Sequence, residues 1–305
     1  MADESKVFKQ LVEVTRQVAG GDYSRAAELF DLTMAGKAND AIGELAEAFG
    51  MMLVQVEGRE FRLEQLIEEL KETNRRLEST LHKVKLLESI EAHLSKFVPQ
   101  SVTKLIQANP EAPDLAKHDR DVSVLFLDVA GYTRMSEKVA AEQMNFLIES
   151  YFSSFLDDIH RNRGDINETA GDGLMIIFQH EDNRQNALDA VSTALSIQGK
   201  VRRINQSNEG SFEPVAVNIG INSGTCSVGS TCFEGVSGTR WTFTASGPVT
   251  NTAARIGALA TDGRVLVGEE TRQRVKDDFQ VTDFGRHQLK NVSQPVQVWE
   301  VAIPT

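Results

Sequence analysis

Two aspartates stand where their chemistry needs an explanation. Asp128 closes the apolar run SVLFLDV and is followed by Ala-Gly-Tyr-Thr, a turn that exposes backbone N–H groups. Asp172 sits in Ala-Gly-Asp-Gly, between two strand-like stretches. An unpaired carboxylate at the end of a buried strand is costly, and two brought together repel. A divalent cation relieves both problems, and hard Mg²⁺ or Mn²⁺ with oxygen ligands is the natural match. Two such ions between carboxylates and a triphosphate would activate an attacking hydroxyl and stabilise the leaving pyrophosphate. Taken singly, each residue also reads as an ordinary turn aspartate.

Asn251 and Arg255 form the second constellation. Four residues apart on a helix, they share a face. The rigid fork of an arginine suits a phosphoryl group in transition. Standing alone, the pair reads as a helix cap and an exposed cation.

The elements that must position these groups follow from the pattern. Asp121–Val129 is a buried strand, and AEQMNFLIESYFSSFLDDIHRN an amphipathic helix. Asp165–Thr169 and Leu174–Phe178 flank the Gly-Asp-Gly turn as a hairpin. A helix is expected over Ala187–Ile204, strands over Val215–Ile221 and Thr242–Thr244, and a helix over Val249–Ala258. Strands at Val265–Val267 and Val296–Val301 complete an α+β domain with a largely antiparallel sheet.

The chain has 305 residues, 41% hydrophobic and 25% charged, as in an ordinary globular protein. Its formal charge of −12 argues against a nucleic-acid partner, which would call for a basic face. It leaves a nucleotide substrate open, because metal ions can supply local positive charge. No apolar run reaches the ~20 residues of a membrane span, and MADESKVFKQ lacks the layout of a secretory signal. A cytoplasmic protein is expected. Two cysteines, Cys226 and Cys232, read as free thiols in a reducing compartment.

Ahead of the catalytic-looking region, Leu11, Val14 and Val18 mark a helix that stops at Gly20-Gly21-Asp22. A connector runs to about Lys37, and a second helix, capped near Asn39-Asp40, carries Ile42, Leu45, Phe49, Met52 and Val56. A long helix is expected from Phe61 to about Ile106, broken near Pro99. Leu63, Leu66, Leu70, Thr73 and Leu77 step by three and four along it, the seam of a coiled coil. The four-residue step to Leu81 is a stutter. So narrow a stripe buries little unless a second chain meets it, which favours a parallel homodimer over packing within one domain.

Several segments in order carry a resemblance. FLDVAGYT (Phe126–Thr133), ETAGDGLMIIF (Glu168–Phe178), FTASGPVTNTAARI (Phe243–Ile256) and LKN (Leu289–Asn291) resemble the signature segments of class III adenylyl and guanylyl cyclases. LSKFVPQSVTKLI resembles the connecting helix of many bacterial members. VAGGDY (Val18–Tyr23) and NDAIGELAEAFGMM (Asn39–Met52) resemble a HAMP domain, a parallel four-helix relay formed by two chains. There the usual Asp-Glu-x-Gly is Asp40-Ala41-Ile42-Gly43, so the acidic pair is incomplete, and a plain helical hairpin remains the other reading. The implied organisation is a HAMP-like domain over 1–60, a coiled coil with transducer helix over 61–117, and a cyclase domain over 118–305.

The resemblance implies roles residue by residue. Asp128 and Asp172 match the metal-binding aspartates, two Mg²⁺ or Mn²⁺ ions per site. The peptide N–H groups of Ala130, Gly131, Tyr132 and Thr133 match those that hold phosphate oxygens. Asn251 and Arg255 match the pair that orients the ribose and stabilises the transferring phosphate. Lys290 matches the lysine on the terminal phosphates, with Asn291 in place of the usual Gly. Glu168 and Thr244 occupy the base-selecting positions. A carboxylate accepts but cannot donate when ionised, so Glu168 suits guanine N1–H and N2–H₂, whereas adenine N1 is itself an acceptor. Thr244 suits either base.

A guanylyl cyclase (GTP to cyclic GMP) is thus the favoured expectation. An adenylyl cyclase (ATP to cyclic AMP) is the alternative, and a catalytically silent dimeric signalling module the third. Two chains would build each site: the aspartates from one, and Glu168, Thr244, Asn251, Arg255 and Lys290 from the other. An upstream sensor partner is also expected. Pro248, where Asp is common, and the long stretch Ser230–Trp241 are departures from the pattern.

Overall fold

A computed structural model describes the chain except residues 1, 26, 29–30, 32–39, 209–212, 237 and 304–305. It divides into two compact units, Met1–Ile90 and Glu91–Thr305.

In the first unit, α1 (Ala2–Ala19) and α2 (Asp40–Leu94) are the main helices. Helix α1 ends at Gly20-Gly21, where Gly21 takes φ 86°, a conformation open to glycine at little cost. Leu11, Val14 and Leu53 are buried together, flanked by Val18, Tyr23 and Phe49. The connector to about Lys37 and the cap at Asn39 lie outside the described residues. The two helices expected over residues 39–56 and from Phe61 are one. Helix α2 runs 55 residues without a break at Gly58, because one interior glycine costs a helix only about 1 kcal/mol. Along α2, Leu63, Leu66, Leu70, Leu77, Leu81, Val84 and Leu87 are all exposed.

The second unit begins with the end of α2, a 3-10 turn over Ser95–Phe97, and α3 (Gln100–Ala108). Pro99 separates the last two, as expected. The Asp165 carboxylate accepts from the N–H groups of Gln100 (2.8 Å) and Ser101 (3.0 Å), which caps α3 from strand β2.

The sheet has the order β2-β3-β1-β4-β6-β8-β7. Its strands are β1 (His118–Val129), β2 (Asp165–Ala170), β3 (Gly173–Phe178), β4 (Val217–Gly235), β6 (Val265–Gly268), β7 (Val281–His287) and β8 (Val296–Val301). β5 (Gly238–Ser246) pairs with the outer half of β4. Among the described residues only β4 and β6 run parallel. Alternation sorts the side chains by face. Leu125, Leu127, Val129, Ile176, Phe178, Ile219 and Ile221 join the main core with helices α5 (Ala141–Arg161) and α6 (Asn183–Ser207). Val122, Val124, Met175, Ile177 and Val228 face the other way with Ala253 of α7 (Pro248–Leu259).

Three expectations are corrected. β4 and β5 are far longer than the short strands expected, and Ser230–Trp241 is the end of their ribbon, pairing Cys232 with Trp241 and Gly235 with Gly238. β7 was not anticipated: an edge strand with mostly exposed or half-buried residues needs no apolar alternation. Neither were the short helices α4 (Tyr132–Ser136) and α8 (Glu269–Val275), which are too brief to show a period. Among the described residues no helix is long and apolar enough to cross a membrane.

Helix α7 lies against β4 through a glycine contact. A Cβ on Gly220 would stand 2.0 Å from Gly257 N and 2.5 Å from its Cα, whereas a Cβ on Gly257 would meet nothing closer than 3.5 Å. Gly220→Ala must lift α7 off the sheet and is expected to cost more than the ~1–3 kcal/mol of ordinary overpacking. Gly257→Ala is expected to be nearly neutral. Urea unfolding of both variants measures the contrast, and equal midpoints would refute it.

Candidate active site

Asp128 is the penultimate residue of β1, paired with Gly173 on β3 and Asn218 on β4. Alternation places it on the face of Val124 and Phe126, toward α7. Asp172 lies in the β2–β3 turn, where Gly171 takes φ 58° and the Asp172 carbonyl accepts the Val129 N–H at 3.1 Å. That bond ties the turn to the end of β1 and brings the two carboxyl groups within hydrogen-bonding reach of each other. Burial, then the Asp172 charge, then that hydrogen bond push the Asp128 carboxyl up from 3.8 to about 6. Among the described residues no cationic side chain pairs with either carboxylate. The donor set fits a hard divalent cation. Among the described residues it has two carboxylate side chains and no group of three or more candidate ligands, which suits Mg²⁺, an ion that completes its shell with substrate phosphates and water.

The shift sets a pH dependence. The folded pKa of Asp128 lies above its unfolded value, so ionisation works against the fold. The penalty is absent below about 3.8, grows as pH rises to about 6 and is complete above it. Asp128→Asn is therefore expected to raise the melting temperature of the metal-free protein at neutral pH and not at acid pH. The gain is a few degrees at most, because Asp128 keeps contact with solvent. Thermal melts at the two pH values check the sign.

After β1 the backbone turns through Gly131, at φ 73°, into the short helix α4. The Ala130 N–H donates to the Ala216 carbonyl at 2.8 Å. Ala130 is thus a fixed anchor, and the free donors of this turn begin after it, at Gly131, Tyr132 and Thr133.

Glu168 reaches the same face by a route the sequence did not announce. The β2–β3 register shifts between Ile166, opposite Ile176, and Glu168, opposite Met175. Ile176 belongs to the main core and Met175 to the α7 face. Without this bulge, Glu168 would follow Ile166 to the side covered by α5 and α6. Asn167 is the extra residue, and its Nδ2 donates to the Phe243 carbonyl of β5 at 2.6 Å. Sequence reading passed over Asn167, since only the pairing register exposes its place between Glu168 and β5.

The next residue on β5, Thr244, meets Glu168: its Oγ1 lies 3.4 Å from Glu168 Oε1 and 3.4 Å from the Ala245 carbonyl. Both exceed the usual ~2.7–2.8 Å of an O–H···O bond, so the hydroxyl proton is weakly committed. The two base-selecting candidates are therefore neighbours.

A cleft of 240 Å³ joins Asp128 to Glu168 along the face of Phe126, Gly173 and Met175, roofed by Ala254, Gly257 and Ala258 of α7. Asn251 and Arg255 are on α7 but do not line it. Their stripe is turned one residue, ~100°, from that of Ala254 and Ala258. Asn251 is exposed and Arg255 half-buried, and among the described residues neither side chain makes a hydrogen bond or ion pair. Lys290 is exposed in the β7–β8 turn, across the sheet from β2 and β3. Asn291 beside it takes φ 62°, a left-handed conformation that Asn tolerates where Gly is usual. Asp128 and Glu168 line the cleft, Asp172 and Thr244 stand beside them without lining it, and Asn251, Arg255 and Lys290 lie outside it.

Residues 115–301 match the adenylate and guanylate cyclase catalytic domain. The chain belongs to that family. The cyclase domain is 28% identical to the adenylyl cyclase CyaB of P. aeruginosa, with TM-score 0.57 over 63% of this chain and 98% of that structure. It is equally 28% identical to the guanylyl cyclase Cya2, with TM-score 0.56 over 61% of this chain and 94% of that one. A terminal-differentiation-specific adenylate cyclase of Dictyostelium discoideum is 26% identical over 226 residues, 72% of this chain and 10% of that protein. The match covers less than half the length of such curated relatives.

Proposed function

We propose that this chain is a homodimeric class III nucleotidyl cyclase that converts GTP to cyclic GMP and pyrophosphate. The observation that carries the choice of base is Glu168, turned by the bulge onto the cleft face beside Thr244. Its carboxylate accepts from guanine N1–H and N2–H₂, and the loosely held Thr244 hydroxyl turns to donate to O6. Adenine N1 in the same place would meet an acceptor with an acceptor and leave both unpaired.

Asp128 and Asp172 would hold Mg²⁺ or Mn²⁺, two per site, supplying positive charge to the 3′-hydroxyl and the triphosphate. The N–H groups of Gly131, Tyr132 and Thr133, anchored by Ala130, hold phosphate oxygens. Asn251 orients the ribose, Arg255 stabilises charge on the transferring phosphate, and Lys290 holds the terminal phosphates. Each site takes Asp128 and Asp172 from one chain and Glu168, Thr244, Asn251, Arg255 and Lys290 from its partner, so a dimer has two sites, and Asn251, Arg255 and Lys290 standing outside the cleft of their own chain support this. Residues 118–305 carry catalysis. Residues 1–60 act as a HAMP-like relay and 61–117 as a parallel coiled coil and transducer, whose exposed leucine seam buries itself against a second copy. Small changes in that seam alter the geometry on which both sites depend. The chain is of bacterial type, works in the cytoplasm and receives its signal from a sensor partner.

The adenylyl reading keeps one specific support: many of the curated relatives are named adenylate cyclases. A parallel assay of the purified chain with GTP and ATP, each with Mg²⁺ and Mn²⁺, decides. Cyclic GMP as the main product is expected; cyclic AMP alone refutes the role given to Glu168, and no product with either revives the silent module.

A further inference from the structure

We infer that the cavity between α3 and the β1–β2–β5 end of the sheet binds a small organic anion with an apolar body. It measures 460 Å³, inside the ~300–1,000 Å³ range of small-molecule pockets. It shares no lining residue with the cleft of Asp128 and Glu168. Leu105, Val228 and Phe243 give it apolar walls, and Lys104 and Arg120 stand on its rim.

The formal charges around it balance, Lys104 and Arg120 against Asp114 and Asp165, but the carboxylates are hydrogen-bonded and the two cations are not. The Asp165 carboxylate is occupied by the Gln100 and Ser101 N–H groups. Asp114 pairs with His118 at 3.0 Å, and Arg163 with Asp189 at 2.8 Å. Arg120 acts on Asp114 only through space. Among the described residues, Lys104 and Arg120 make no hydrogen bond or ion pair. Two unpaired cations and apolar walls together describe an amphipathic anion.

The position gives such a ligand a point of leverage. One wall is α3, the helix that leads into the sheet. Another is Phe243, whose carbonyl accepts from Asn167 and which precedes Thr244. A bound ligand therefore touches the transducer helix on one side and the strand of the base-reading pair on the other.

Titration of the full chain with anilinonaphthalene sulfonate, an aromatic sulfonate, tests the site without relying on turnover, so its failure is separable from failure of the cyclase reading. A saturable fluorescence rise is expected. The Lys104→Met/Arg120→Met double variant is expected to bind about tenfold more weakly. Leu105→Trp, which fills the cavity from the surface of α3, is expected to remove the same component. Circular dichroism verifies that both variants are folded, and if Leu105→Trp is not, the double variant carries the test. No saturable binding, or binding unchanged in the folded variants, overturns the proposal. So does displacement of the dye by sulfate beyond that caused by chloride at equal ionic strength, which would mark a site for inorganic anions.

Discussion

Mixing an Asp128→Ala chain with an Arg255→Ala chain is expected to restore cyclase activity that neither shows alone. Each variant by itself forms a dimer in which both sites lack the same group. Asp128→Ala removes one of two carboxylates at the proposed metal site, and Arg255→Ala removes the proposed cation on the transferring phosphate. Each loss is expected to exceed about 10³-fold in kcat. In the mixed dimer the defects sort unequally. One site receives both substitutions; the other receives Asp128 from one chain and Arg255 from its partner and is intact. Random pairing makes half the dimers mixed, each with one working site, so about a quarter of wild-type activity is expected after exchange. A cyclic-nucleotide assay before and after subunit exchange measures it. Recovery would assign Asp128 and Arg255 to different chains of one site. No recovery, with exchange verified by a tagged chain, would put both groups in one protomer and end the two-chain reading.

Glu168→Lys is expected to move the preference for GTP over ATP by roughly 10⁴-fold in the ratio of kcat/KM. An ammonium group only donates, so it opposes guanine N1–H and N2–H₂ and suits adenine N1. Thr244 needs no change, because its hydroxyl is weakly held at 3.4 Å from both neighbouring acceptors and serves either base. The change should fall mainly on base choice, since Glu168 is exposed and supports no core contact. Competition between the two nucleotides in one reaction reads the ratio directly. A ratio unmoved within tenfold would show that Glu168 does not face the base.

Where sequence and structure part company, the causes are local and physical. The turn aspartate Asp172, the strand that carries Asp128 near its end and helix α7 were legible, because buried alternation and breaker residues write themselves into the chain. The β4–β5 ribbon was not. Ser223, polar at a buried position, and Gly224 after it break the apolar alternation, and pairing across the ribbon supplies what local pattern lacks. Gly58 misled in the opposite direction, for a single glycine interrupts a pattern more readily than it interrupts a helix.

By itself the sequence determined the family and the α+β class, and it singled out the pair of aspartates and Glu168 as candidates. Those depend on residue type and order alone. Only the tertiary structure decided which of these groups share a cleft. The bond from Val129 N–H to the Asp172 carbonyl closes the two aspartates together. The bulge at Asn167 turns Glu168 to the α7 face, and the close approach of Gly220 to Gly257 fixes the roof above it. Asn251 and Arg255, one helical stripe away, were left outside. A shift of one residue in strand register reverses every side chain beyond it, and no count of residues along the chain reveals where such a shift occurs.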